Sequence, residues 1–143
     1  MFNIILMGHG ELGITMKKSA EMIVGKQKAV KTIPFYEGEG IETLEEKIEK
    51  ANNNKENDLL IVCDLYGGTP FNSACSYCLK HKDQNIIILS GMSLPMVIQI
   101  LLGNNSKSII DVINDIEKDK QLYIKTYMWK VEKTLNNSEG DDL

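Results

Sequence analysis

Apolar residues in this chain cluster into short runs separated by longer mixed stretches. Residues 3–7, 30–35, 59–63 and 85–89 are the runs, and they are almost wholly apolar rather than alternating. Strands read this way when helices cover both faces of a parallel sheet, so that neither face meets water. Between the runs lie helical patterns over 11–24, 41–52 and 70–81. In the second of these, Ile41, Leu44 and Ile48 share one helical face. Regular β–α alternation predicts an α/β fold, doubly wound around a mainly parallel open sheet of four parallel strands with right-handed crossovers.

The remainder extends this pattern and then changes it. Residues 84–106 carry no charge, but Ser90-Gly91-Met92-Ser93-Leu94-Pro95 breaks them with turn chemistry. Each apolar piece is then too short to span a bilayer core of about 30 Å, and a buried strand followed by a buried helix is expected instead. After the loop Gly103-Asn104-Asn105 comes a helix over about 106–118. Residues 121–129 then alternate, with Leu122, Ile124, Thr126 and Met128 on one side, which predicts a fifth, half-buried strand. Residues 1–130 form the expected domain, and the polar 131–143 are expected to be a disordered tail.

Two of the predicted strands end in the same manner. The first runs into Gly8-His9-Gly10 just before a helix, and the third into Asp64-Leu65-Tyr66-Gly67-Gly68-Thr69-Pro70. Ligands bind at such carboxyl ends in open α/β sheets. An imidazole between two glycines is sterically exposed, and a helix N-terminus beside it favours negative charge. Thr69 is expected as N-cap with Pro70 at the first helical position. Gly67 and Gly68 allow a tight turn whose amides face an anion. If the first and third strands are neighbours, His9 and Asp64 meet. A carboxylate on one imidazole nitrogen sets the tautomer and makes the other the better nucleophile.

Composition narrows the field. The chain has 143 residues, 43% of them hydrophobic, a net charge of −4 and a pI near 5.2. That length suits one domain with a real core. Mild acidity with scattered basic residues argues against a nucleic-acid partner. Three cysteines without framework spacing fit a reducing compartment, and no signal peptide is apparent, so a soluble cytoplasmic protein is expected.

Other motifs compete with this reading. Gly8-His9-Gly10-Glu11-Leu12-Gly13 matches the dinucleotide fingerprint, with Glu37 near the place of a ribose-binding acid. Against a dinucleotide-binding module stand the short chain, the histidine in the turn that would hug a pyrophosphate, and the unexplained Gly-Gly-Thr-Pro segment. Cys75 and Cys78 form C-x-x-C inside a helix rather than at its start and read as small buried hydrophobes. His81 reads as a solvated helix C-terminus. No metal set and no P-loop are present.

The two junctions together resemble the enzyme IIA component of the mannose-type (mannose/fructose/sorbose) phosphoenolpyruvate:sugar phosphotransferase system. The resemblance covers about residues 2–130. It rests on Gly8-His9-Gly10, on 20–25, on 37–44, on Gly91-Met92-Ser93-Leu94-Pro95-Met96 and, most specifically, on Gly67-Gly68-Thr69-Pro70-Phe71-Asn72. It implies His9 as the phosphorylated residue, Asp64 as its orienting carboxylate, and Gly10, Gly67, Gly68 and Thr69 lining the phosphoryl site. It implies no cofactor and no metal. Phospho-HPr would be the donor and enzyme IIB the acceptor, with membrane components IIC and IID served indirectly by a free-standing IIA. It also implies a homodimer in which the last strand, antiparallel to the others, completes the partner's sheet. A related branch, the phosphotransfer subunit of dihydroxyacetone kinase, shares the fold and the early histidine but lacks the Gly-Gly-Thr-Pro-Phe-Asn string.

Overall fold

A computed structural model describes residues 1–129. The chain runs β1 (Asn3–His9), α1 (Leu12–Val24), β2 (Val30–Phe35), α2 (Ile41–Ala51), β3 (Leu59–Cys63), α3 (Thr69–Lys80), β4 (Ile86–Leu89), α4 (Leu94–Gly103) and α5 (Ile109–Asp119), closing with a 3₁₀ turn at Lys120–Leu122. The sheet order is β2-β1-β3-β4, and every pairing is parallel. The expected doubly wound sheet of four parallel strands is therefore the observed one. From β1 the chain passes to one side to form β2, then crosses to the other side to form β3. The direction of winding reverses between β1 and β3, the point at which open α/β sheets bind ligands, at the strands' carboxyl ends.

Although the strands read as continuous apolar runs, successive side chains still point to opposite faces, and two cores result. Ile4, Leu6, Leu60 and Val62 face one side, where α1, α4 and α5 supply Ala20, Val97, Ile100 and Val112. Ile5, Met7, Ile61 and Cys63 face the other, against Leu44 and Ile48 of α2 and Ala74 and Tyr77 of α3. Buried polar groups at the sheet's amino-terminal end are paired, as burial demands. Asn104 accepts from the Phe2 N–H at 2.8 Å and donates to the Phe2 carbonyl at 3.0 Å, fastening the start of β1 to the end of α4. On the other face Asn52 donates to Gln84 at 2.7 Å and to the Tyr77 hydroxyl at 3.1 Å.

The sheet's two edges differ. On β2, Pro34 lacks an N–H and its carbonyl accepts from Lys47 Nζ at 3.0 Å, so this edge is blunted. On β4, all four residues are half-buried. The fifth strand expected over 121–129 does not form within the chain. After the turn at Lys120–Leu122, Tyr123 bonds back to Gln99 through its hydroxyl, and residues 124–129 pair with no strand among the described residues. Ile124, Tyr127 and Trp129 are 86%, 83% and 73% exposed. The physical reason is that an alternating segment becomes a strand only when an edge supplies its hydrogen bonds, and no edge of its own sheet takes it up. The tail expected over 131–143 lies outside the described residues.

Candidate active site

β1 and β3 are neighbours in register, Met7 opposite Cys63, so the residues that follow emerge together at the switch point. There His9 Nδ1 lies 2.9 Å from Asp64 Oδ2, and the same oxygen accepts the His9 backbone N–H at 2.9 Å. A carboxylate can only accept, so Nδ1 carries the proton and Nε2 holds the lone pair. Nε2 has no hydrogen-bond partner among the described residues, and the imidazole side chain is 51% exposed while that of Asp64 is 12% exposed. Burial pushes the Asp64 carboxyl up, but the backbone and ring donations from His9 outweigh it and hold the group below the usual carboxylate range. Asp64 therefore stays ionised at neutral pH and can stabilise positive charge on the ring.

Glycines make this approach sterically possible. A Cβ on Gly8 would fall 3.1 Å from Asp64 Cγ and Oδ2, and one on Gly68 would fall 3.2 Å from His9 Cε1. Phe35, level with His9 across the β1–β2 pair, sets its ring edge-to-face against the imidazole, with centroids 5.4 Å apart. Neither Gly8 as the seat of the carboxylate nor Phe35 as a wall of the site is visible before the strand register is known. The signal for Phe35 was its place as the last residue of the second apolar run.

The expected anion-binding amides are only partly as anticipated. Gly10 takes a left-handed φ of 59°, yet its N–H donates to the Phe35 carbonyl at 2.7 Å and its carbonyl accepts from Phe35 at 3.1 Å. Gly68 spends its N–H on the Leu65 carbonyl at 3.1 Å, closing a turn through Gly67 at φ 81°. Gly68 rather than Thr69 is the N-cap of α3, and no side-chain cap bond forms. Thr69 and Pro70 occupy the first turn instead. The Thr69 and Phe71 amides have no backbone acceptor, so free N–H groups come from that first turn and from the start of α1 just after His9. Two helix N-termini thus flank the imidazole.

The competing groups lie elsewhere. The Cys63 thiol faces the core, and burial pushes its pKa up to about 12; Cys75 is likewise raised by burial. His81 is not the solvated terminus expected. It caps α3 half-buried, with Nδ1 2.8 Å from the Tyr77 carbonyl, its ring stacked on Tyr77 at 3.9 Å and Nε2 3.5 Å from Glu49 of α2. Among the described residues no three His, Cys, Asp or Glu side chains are grouped to hold a metal ion, and no helix is long and apolar enough to cross a membrane. The dinucleotide-like pattern has a packing origin. Gly13, its last glycine, lets α1 lie directly on β1, where a Cβ would come 2.5 Å from the Leu6 carbonyl oxygen. The Gly10 amide that would serve a pyrophosphate is already bonded.

A doubly wound α/β domain that sets a carboxylate-oriented, half-exposed histidine at its switch point places a candidate nucleophile where this class of fold binds its ligands. Known proteins narrow that class. A family model described as "PTS system fructose IIA component" matches residues 3–117. The fructose-specific EIIA component of Bacillus subtilis (strain 168) is 32% identical over 146 residues, covering 99% of either chain. The sorbose-specific EIIA component of Lacticaseibacillus casei is 31% identical, covering 97% of this chain and 98% of its own. A crystal structure of phosphotransferase system component EIIA from Streptococcus agalactiae matches with a TM-score of 0.81 and 26% identity, covering 88% of this chain and 97% of its own. The chain belongs to the mannose-type enzyme IIA family and is a component of a sugar phosphotransferase system.

Proposed function

We propose that this protein accepts a phosphoryl group from phospho-HPr on Nε2 of His9 and passes it to an enzyme IIB partner during sugar uptake. The observation that carries this reading is the 2.9 Å contact between His9 Nδ1 and Asp64 Oδ2 across the switch point. It leaves the lone pair on the outward nitrogen. That lone pair attacks phosphorus in line as the donor's P–N bond breaks, and a new P–N bond forms at Nε2. The positive charge that develops on the ring is balanced by Asp64. The equatorial oxygens face Thr69 and the free amides at the starts of α1 and α3, which are aligned before the reaction begins. Gly10, Gly67 and Gly68 shape the backbone around the group, and Gly67 lies in the turn that presents Thr69. No cofactor is required, because the phosphorus passes between nitrogens of similar character.

The test is incubation with enzyme I, HPr and phosphoenolpyruvate, followed by an acid-stability assay of the label. One acid-labile phosphoryl group per chain is expected on His9, and none in His9→Gln. Asp64→Ala should fold and still be labelled, at a rate reduced roughly ten- to hundredfold, by analogy with carboxylates behind metal-bound imidazoles. Undiminished labelling of His9→Gln, or label on His81, would overturn the assignment.

The open edge at β4 and the exposed apolar residues of 124–129 support a further part of the reading. The protein is proposed to be a homodimer in which each C-terminal segment adds an antiparallel strand to the partner's sheet. Exchange of a terminal element covers two liabilities at once.

A further inference from the structure

We propose that Phe35 is a positioning residue for His9 that, together with Asp64, aims Nε2; this rests on the reading of His9 as the phosphoryl acceptor. Asp64 holds the imidazole at one point, Nδ1. The side chain is half exposed, and torsion about χ1 and χ2 would stretch that contact and carry Nε2 off the line of attack. Gly68 leaves room for the ring on one side, where a Cβ would come 3.2 Å from Cε1. Phe35 closes another, its ring inclined 75° to the imidazole. Phe35 thus confines a motion that the hydrogen bond alone leaves free.

Phe35 is suited to the task because it is itself fixed. It is the last residue of β2, paired with His9 in the parallel register, and its side chain packs on the core cluster of Ile5, Met7 and Ile33. Its backbone exchanges both hydrogen bonds with Gly10, at 2.7 and 3.1 Å. One residue therefore anchors the main chain immediately after His9 and walls its ring. A chain position that only filled the core would need neither contact. In-line transfer is sensitive to small misplacements of the nucleophile, which is where such confinement matters.

The experiment compares wild type, Phe35→Leu and Phe35→Tyr. Phe35→Leu is expected to lower the transfer rate from phospho-HPr roughly threefold to tenfold, the range an edge-to-face aromatic contact corresponds to. KM for phospho-HPr should stay near the wild-type value, since the fault lies in aim rather than docking. Nitrogen NMR of the His9 ring should show a larger share of the Nε2–H tautomer, and Phe35→Tyr, which restores a ring, should recover both rate and spectrum. In the wild-type protein, nuclear Overhauser contacts between the His9 and Phe35 rings are expected, a readout that depends on no variant. Their absence, or a Phe35→Leu protein with wild-type rate and ring-nitrogen shifts, would overturn the positioning role. Failure of wild-type protein to carry label on His9 would instead overturn the reading beneath it.

Discussion

Asp64 does its work with one oxygen. Oδ2 accepts both His9 donations, while Oδ1 is buried without a hydrogen-bond partner, an arrangement that costs stability unless the paired oxygen compensates. The His9 donations outweigh burial and depress the carboxyl's pKa in the folded protein. A depressed folded value contributes stability that is complete above the unfolded value, about 3.9 for aspartate, and is lost as pH falls through the lower folded value. Urea unfolding of wild type and Asp64→Ala across a pH series should show a difference that narrows as pH falls below about 4. A gap that persists unchanged into stronger acid would mean the carboxylate's charge contributes nothing. At this scale, the sequence made His9 and Asp64 legible because each stands alone between an apolar run and a helix start. It could not say where the glycine amides point. A glycine signals that the backbone turns, and at Gly10 and Gly68 the turn consumes the N–H.

Among the elements, the close seating of α1 on β1 depends on Gly13, where a Cβ would meet backbone that cannot swing aside. Gly13→Ala should therefore destabilise the fold by about 1–3 kcal/mol, the usual cost of overpacking. Denaturant unfolding would register this as a lower midpoint at unchanged slope. A neutral or stabilising result would show that α1 can shift outward without penalty. Element ends illustrate what pattern reading reaches. β2 and β3 start and stop where their apolar runs do. The helix expected from residue 106 begins at Ile109 instead. Ser106 and Lys107 bond back to the Gly103 carbonyl, and Ser108 caps the helix by accepting from the Asp111 N–H at 3.1 Å. Two serines two residues apart are equal cap candidates on paper, and only the loop's geometry chooses between them.

For the molecule as a whole, the β4 edge and the apolar residues beyond α5 call for a cover. The exchanged-strand dimer predicts a sedimenting species near twice 16.1 kDa. Truncation before Lys120 should then yield unstable or aggregated material, because the edge is left bare. A stable monomer at micromolar concentration, unaffected by the truncation, would exclude the exchange. The alternation over 121–129 was plain in the sequence, but a strand's existence also depends on its neighbour, and periodicity says nothing about where that neighbour is.

The order β2-β1-β3-β4 also governs when the site comes into being. His9 and Asp64 are 55 residues apart along the chain, and they meet only once β1 and β3 have paired around an intervening strand and two helices. Such non-local parallel pairing is intrinsically slow, because a long loop must close before any contact rewards it. A nascent or partly unfolded chain consequently displays a histidine without its carboxylate. On the role proposed for His9, full reactivity awaits the β1–β3 pairing, and the rate of transfer then reports that this pairing has formed.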